Sequence, residues 1–123
     1  IFYMCHSDKF EELHIWKEAR NLVKEVYFQF QGNENEQFST IIKRTALAIL
    51  CNIAEGYSSG SPIVFQSFLF EAEGCCHEIR NFLDKARTRK YLSEEGIEKV
   101  GRTCGAMMAG IRQTLQRIDE CKQ

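Results

Sequence analysis

From Leu13 to Phe30 the apolar residues return every three or four positions: Leu13, Trp16, Ala19, Leu22/Val23, Val26/Tyr27 and Phe30. That is the period of one face of an α-helix. Gln31-Gly32-Asn33 closes the run, glycine being the residue that leaves a helix most readily through a left-handed turn. A second run, from about Glu36 to Glu55, turns Phe38, Ile41/Ile42, Thr45, Ala48/Ile49 and Ile53 inward, with Gly56 as its expected exit. The third opens with Ser61 as N-cap and Pro62 at the first helical position, where a missing N–H costs nothing. It carries Phe65, Phe68/Leu69, Ala72, Cys75/Cys76, Ile79, Phe82/Leu83 and Ala86. The fourth starts at Ser93, places Glu94 and Glu95 in its first turn, where the helix dipole favours negative charge, and continues through Ile97, Val100, Cys104, Met107/Met108, Ile111, Leu115 and Ile118. No strand-like alternation competes with these four.

Long helices joined by short connections become antiparallel neighbours, so the pattern predicts an all-α, up-down four-helix bundle. The 123 residues, 44% of them apolar, suit a single domain over residues 1–123 with its own core, preceded by a flexible segment of about residues 1–10. Between Thr45 and Ala54 the second helix is apolar or small on most of its surface. A helix buried nearly all round packs against a neighbouring subunit as well as its own core, so a homo-oligomer is expected. Gly101, Gly105 and Gly110 would let another helix come close to the fourth.

The longest apolar run, Ala46 to Ile53, is too short to span a bilayer, and the start, IFYMCHSDKF, has no signal-peptide pattern. The reading is a cytoplasmic protein with no membrane role. The six cysteines, Cys5, Cys51, Cys75, Cys76, Cys104 and Cys121, are expected as reduced thiols, since those inside amphipathic patterns behave as small apolar residues.

Candidate chemistry narrows from here. A carboxylate-bridged metal site in a bundle needs two Glu-x-x-His pairs. The chain offers Glu11 to His14, but His77 has Gly74 three residues before it. Cys75, Cys76 and His77 are consecutive and on a helix do not converge on one ion. No nucleophile stands with a base and an orienting group, and GYSSGS lacks the lysine of a phosphate loop. No enzyme activity, metal or cofactor is expected. A net charge of −1 excludes a uniformly basic molecule, so nucleic-acid binding would need a local patch. The densest cationic stretch is Lys85 to Lys90. With Lys43, Arg44 and Arg80, its Arg87, Arg89 and Lys90 are the candidates for phosphate contact. The alternative is a solvated helix end whose cations complement the dipole.

Asn52 and Glu55 lie three apart and share a helix face. A carboxylate in an apolar segment must be paired or hydrogen-bonded. The favoured reading is a buried polar lock fixing the joint between the second and third helices, rather than a ligand site.

Phe10-x-x-Leu13-x-x-Trp16-x-x-Ala19-x-x-Leu22, Lys43-Arg44, Asn52-Ile53-Ala54-Glu55-Gly56-Tyr57, Phe65-x-x-Phe68-Leu69-x-x-Ala72-x-Gly74 and Glu78 resemble the four-helix-bundle proteins encoded in intervening sequences of bacterial 23S ribosomal RNA genes. The resemblance runs from about Phe10 to Ile118. It implies an antiparallel bundle assembled into a homopentamer. It also implies kinship with the accessory variability determinants of diversity-generating retroelements, which bind nucleic acid and a reverse transcriptase. The expected function is therefore non-enzymatic binding of structured RNA, or of DNA, through basic surface residues. The alternative is a protein-interaction scaffold whose partner is such a reverse transcriptase. The chain departs from the family pattern at Ser59, where an arginine is common.

Overall fold

The computed structural model describes residues 8–121, with side chains from His14 onward. It contains four α-helices: α1 (Asp8–Gln29), α2 (Glu36–Ser58), α3 (Pro62–Thr88) and α4 (Glu94–Cys121). Each packs against two others, in the cyclic order α1, α2, α3, α4, and no two helix backbones approach closely across a diagonal among the described residues. This is the antiparallel four-helix arrangement that the periodicity predicts. The α1–α2 and α3–α4 edges consequently lie on opposite sides of the bundle. Most of the expected N-terminal segment lies outside the described residues, as does the side chain of Leu13; positions 8–10 are already helical.

The core follows the expected ridges with one choice made at each ambiguous pair. Ile42, Ile49, Leu69, Cys76 and Leu83 are buried, whereas Ile41 is exposed and Cys75 and Phe82 are half-buried. On α1 the buried ridge is Ile15, Ala19, Leu22, Val26 and Phe30, so Ile15 takes the inward place and Trp16 only packs against the edge of the core. Thr45 also stays at the flank, with Ala46 fully buried in its stead.

The helix ends are held by local hydrogen bonds. Asn35 accepts from the N–H of Phe38 at 2.9 Å, Ser61 from Val64 at 3.3 Å, and Ser93 from Gly96 at 3.1 Å. Side chains at these positions satisfy donors that a helix start leaves unpaired. At the end of α3, Tyr91 donates its N–H to the Ala86 carbonyl at 2.8 Å and Lys90 to that of Arg87 at 3.2 Å. This is a Schellman closure, with Lys90 in the left-handed position usually given to glycine (φ 58°). Asn33 ties the neighbouring turn down by donating to the Tyr91 carbonyl at 2.7 Å. Beneath both turns the Phe38 ring packs against Phe30, Phe82 and Tyr91.

At the other end the structure corrects the expected exit of α2. The helix continues to Ser58 and turns at Gly60 (φ 74°), while Gly56 stays buried inside it. A Cβ on Gly56 would stand 2.8 Å from the Phe65 ring and 2.8 Å from the Phe68 Cβ. Gly56 is therefore where α3 crosses α2 at close range. Of the α4 glycines, Gly110 admits a neighbour in the same way, an added Cβ falling 2.9 Å from Ile15 and 2.7 Å from the Glu18 carboxylate. Gly101 and Gly105 face open space or ordinary contact.

Cys51, Cys75, Cys76 and Cys104 are free thiols, but Cys121 is disulfide-bonded, against the expectation of reduced cysteines throughout. No described helix is long and apolar enough to cross a membrane.

Candidate nucleic-acid interface

Lys17, Arg20 and Lys24 follow one another at spacings of three and four on α1, which places them in one stripe, and all three are exposed. The stripe runs into Tyr27 and Phe28, 42% and 69% exposed. Lys43 reaches across from α2 and sets its ammonium 5.2 Å from the centre of the Tyr27 ring, a cation–π contact. Arg44, the next residue of α2, points to solvent. Lys17, Arg20, Lys24 and Arg44 have no carboxylate within ion-pair distance among the described residues.

The α3–α4 side is arranged differently. Arg87 donates to Glu94 at 3.0 Å and lies 3.6 Å from Asp84. Lys99 pairs with Glu95 at 3.2 Å, Arg102 with Glu98 at 3.6 Å, and Arg112 crosses to Glu73 at 3.1 Å. The six candidate cations therefore do not form one surface within the chain. Lys43 and Arg44 lie on α2, Lys43 on the edge shared with α1. Arg80 and Arg87 line the opposite groove, between α3 and α4. Arg89 and Lys90 build the exposed turn that follows α3.

No dense cationic run marks Lys17, Arg20 and Lys24 in the sequence. Their signal is a spacing: positions three and four residues to either side hold Leu13, His14, Trp16, Asn21, Val23, Tyr27, Phe28 or another of the three cations, and no carboxylate. Cations so placed repel one another by a few tenths of a kcal/mol and have nothing on their own helix to neutralise them.

The buried polar lock expected at Asn52 and Glu55 is not formed within the chain. With the ridge Ile49, Ile53, Gly56 turned into the core, Asn52 falls on the flank and is half-buried, and Glu55 is exposed. Neither side chain makes a hydrogen bond among the described residues. Within the chain, the close approach of α2 and α3 at this joint is set by Gly56.

Reactive chemistry finds little purchase elsewhere. Cys76 and Cys104 are both fully buried, and the Cys104 thiol donates to the Cys76 carbonyl at 3.5 Å. Side-chain interaction with the neighbouring Cys104 sulfur, together with burial, pushes the Cys76 thiol above its ordinary pKa. Burial likewise raises the Glu18 carboxyl, partly offset by His14 at 3.4 Å. No group of three His, Cys, Asp or Glu side chains able to hold a metal ion occurs among the described residues.

The family model described as 23S rRNA-intervening sequence protein matches residues 11–113. The chain belongs to this family. A crystal structure of a protein with unknown function, from the S23 ribosomal protein family of Bacteroides thetaiotaomicron VPI-5482, superposes with a TM-score of 0.77 at 17% identity. The match covers 88% of this chain and 96% of that one. At that identity the likeness concerns the fold. No curated protein is detectably similar to the chain.

Proposed function

We propose that this member of the 23S rRNA-intervening sequence family is a non-enzymatic, cytoplasmic homo-oligomer that binds structured RNA through its α1–α2 face. The observation that carries the reading is the stripe Lys17, Arg20, Lys24, exposed and without carboxylate partners among the described residues, ending in exposed Tyr27 and Phe28, with half-buried Lys43 over the Tyr27 ring and exposed Arg44 next to it on α2. Cations without internal partners exchange counterions for phosphates without first breaking an ion pair, and such contacts supply most sequence-independent affinity. Exposed rings beside them offer a stacking surface for unpaired bases. A homopentamer, the assembly that the family resemblance implies, would repeat the stripe and so overcome a net charge of −1 per chain.

Light-scattering mass of the purified protein, with and without a structured RNA at low and moderate salt, tests the proposal. An oligomer that gains mass with RNA at low salt and loses it as salt rises is the expected result. An oligomer indifferent to RNA at every salt concentration would overturn it.

A second reading, a scaffold for a protein partner such as a retroelement reverse transcriptase, draws on Ile63, Val64 and Phe70. These stand 67%, 39% and 55% exposed on α3, and apolar side chains grouped in this way mark association surfaces. It predicts a partner retained when the α1 cations are reversed and lost when Phe70 is made polar.

A further inference from the structure

The groove between α3 and α4 has no role in the reading above. It is a solvent-open groove of about 580 Å³, lined by Arg80, Arg87 and Arg102, with buried Leu83 and Ile97 and the helix position Gly101 below them and exposed Asp84 and Glu98 at the rim. That volume lies in the range of small-ligand sites. Arginine is the side chain best shaped to hold phosphate oxygens in pairs, and three arginines line this groove.

Their present engagements leave capacity for a ligand. Arg80 has no carboxylate partner among the described residues. Arg102 faces Glu98 at 3.6 Å and the end of Arg87 faces Asp84 at 3.6 Å, both beyond hydrogen-bond length. Asp84 and Glu98 are 77% and 75% exposed, so either carboxylate turns into water at little cost when a stronger anion arrives. Arg87 is held from behind instead, its Nε donating to both Glu94 oxygens at 3.0 and 3.2 Å. That contact fixes the plane of the guanidinium while leaving its terminal nitrogens available. Gly101 keeps the floor open, since an added Cβ would meet only the Leu83 side chain, at 3.8 Å.

We propose that the α3–α4 groove binds a small, multiply charged phosphate group of the pyrophosphate or nucleoside-diphosphate class, with Arg80, Arg87 and Arg102 as its ligands. The phosphates displace Asp84 and Glu98 from the rim, and the apolar floor of Leu83 and Ile97 accepts the uncharged part of an organic ligand. This site is independent of the α1–α2 face.

Equilibrium titration of the full chain with inorganic pyrophosphate and with ADP, at constant ionic strength, is the test. Saturable binding of both is expected. Arg80→Glu should weaken it by about tenfold or more, the loss typical of one charge-assisted contact. Gly101→Leu, which fills the groove from a partly exposed helix position and raises helix propensity, should weaken it comparably with helicity unchanged. Arg112→Ala, outside the groove, should leave it intact, and so should reversal of Arg20 and Lys24. Absence of saturable binding, or equal affinity in the wild type, Arg80→Glu and Gly101→Leu, would overturn the proposal.

Discussion

The α1–α2 and α3–α4 sides of this bundle both carry several lysines and arginines, but Arg87, Lys99, Arg102 and Arg112 on the α3–α4 side sit beside carboxylates, while no cation of the α1 stripe does among the described residues. On α4, Glu95–Lys99 and Glu98–Arg102 are spaced four apart with the acid first, the favourable orientation along a helix, while Arg87 and Arg112 find acids on another turn or helix. On α1, Lys17, Arg20 and Lys24 have only each other at that spacing. The lesson is that a charge count, or even a dense basic run, says little about availability. What matters is whether an acid sits where the helix or its neighbour can deliver it.

The contrast depends on a frame that keeps the two sides apart, and the largest effect should come from breaking that frame. Gly56→Val places methyl groups where Phe65 and Phe68 already stand. It should cost about 3 kcal/mol, in the range of overpacked cores, read as a lower denaturant midpoint. At the opposite end, Lys90→Gly relieves a left-handed backbone. It should raise stability by about 0.5–1 kcal/mol without weakening RNA binding, because the turn belongs to neither face. An RNA defect in Lys90→Gly would return that cation to the interface.

Smaller still are two changes expected to move in opposite directions. Lys24→Glu gives Arg20 an acid partner four residues on, and should stabilise by about 0.3 kcal/mol in thermal melts while reducing RNA affinity. Arg87→Ala removes an exposed pair with Glu94, and should destabilise by about 0.5 kcal/mol or less with RNA affinity unchanged. Equal signs in the two melts would mean that the two sides do not differ as described.

The smallest effect concerns Glu18, beside the α1–α4 contact at Gly110. Because burial raises its carboxyl pKa in the folded state, the folded protein binds that proton more tightly than the unfolded chain. The charged form is therefore a cost that grows as pH rises above the ordinary carboxyl range. Glu18→Gln should raise the melting temperature slightly at neutral pH, and the gain should vanish in acid, where Glu18 is protonated in both states. A gain that persists in acid would assign the effect to packing.

Much of the fold was legible because every helix shows a three-to-four period, and α3 and α4 also mark their starts. Ser61-Pro62 and Ser93 are read directly, and α4 buries every residue its pattern nominates. Choices within adjacent pairs, such as Ile41 against Ile42, were not legible, since one helix step of 100° separates them and only the neighbouring helix decides. Gly56 was misread for a similar reason: a glycine serves equally well as a helix exit or as a close crossing, and the distinction lies in Phe65 and Phe68, nine and twelve residues away. Glu55 and Asn52 looked buried because their neighbours are apolar, but the rotation of α2 about the Ile49–Ile53 ridge turned them outward. For the candidate interface, Lys43 and Arg44 were visible in sequence. The α1 stripe required attention to the acids that are missing around it.

The most direct measurement compares two charge reversals in RNA binding across a range of salt concentrations. Arg20→Glu with Lys24→Glu should lower affinity at every salt concentration and reduce the slope of log affinity against log salt by about 2, one for each lost phosphate contact. Arg87→Glu with Arg112→Glu should leave that slope unchanged. Equal losses from the two pairs, or a loss confined to the second, would contradict the assignment of RNA binding to the α1–α2 face.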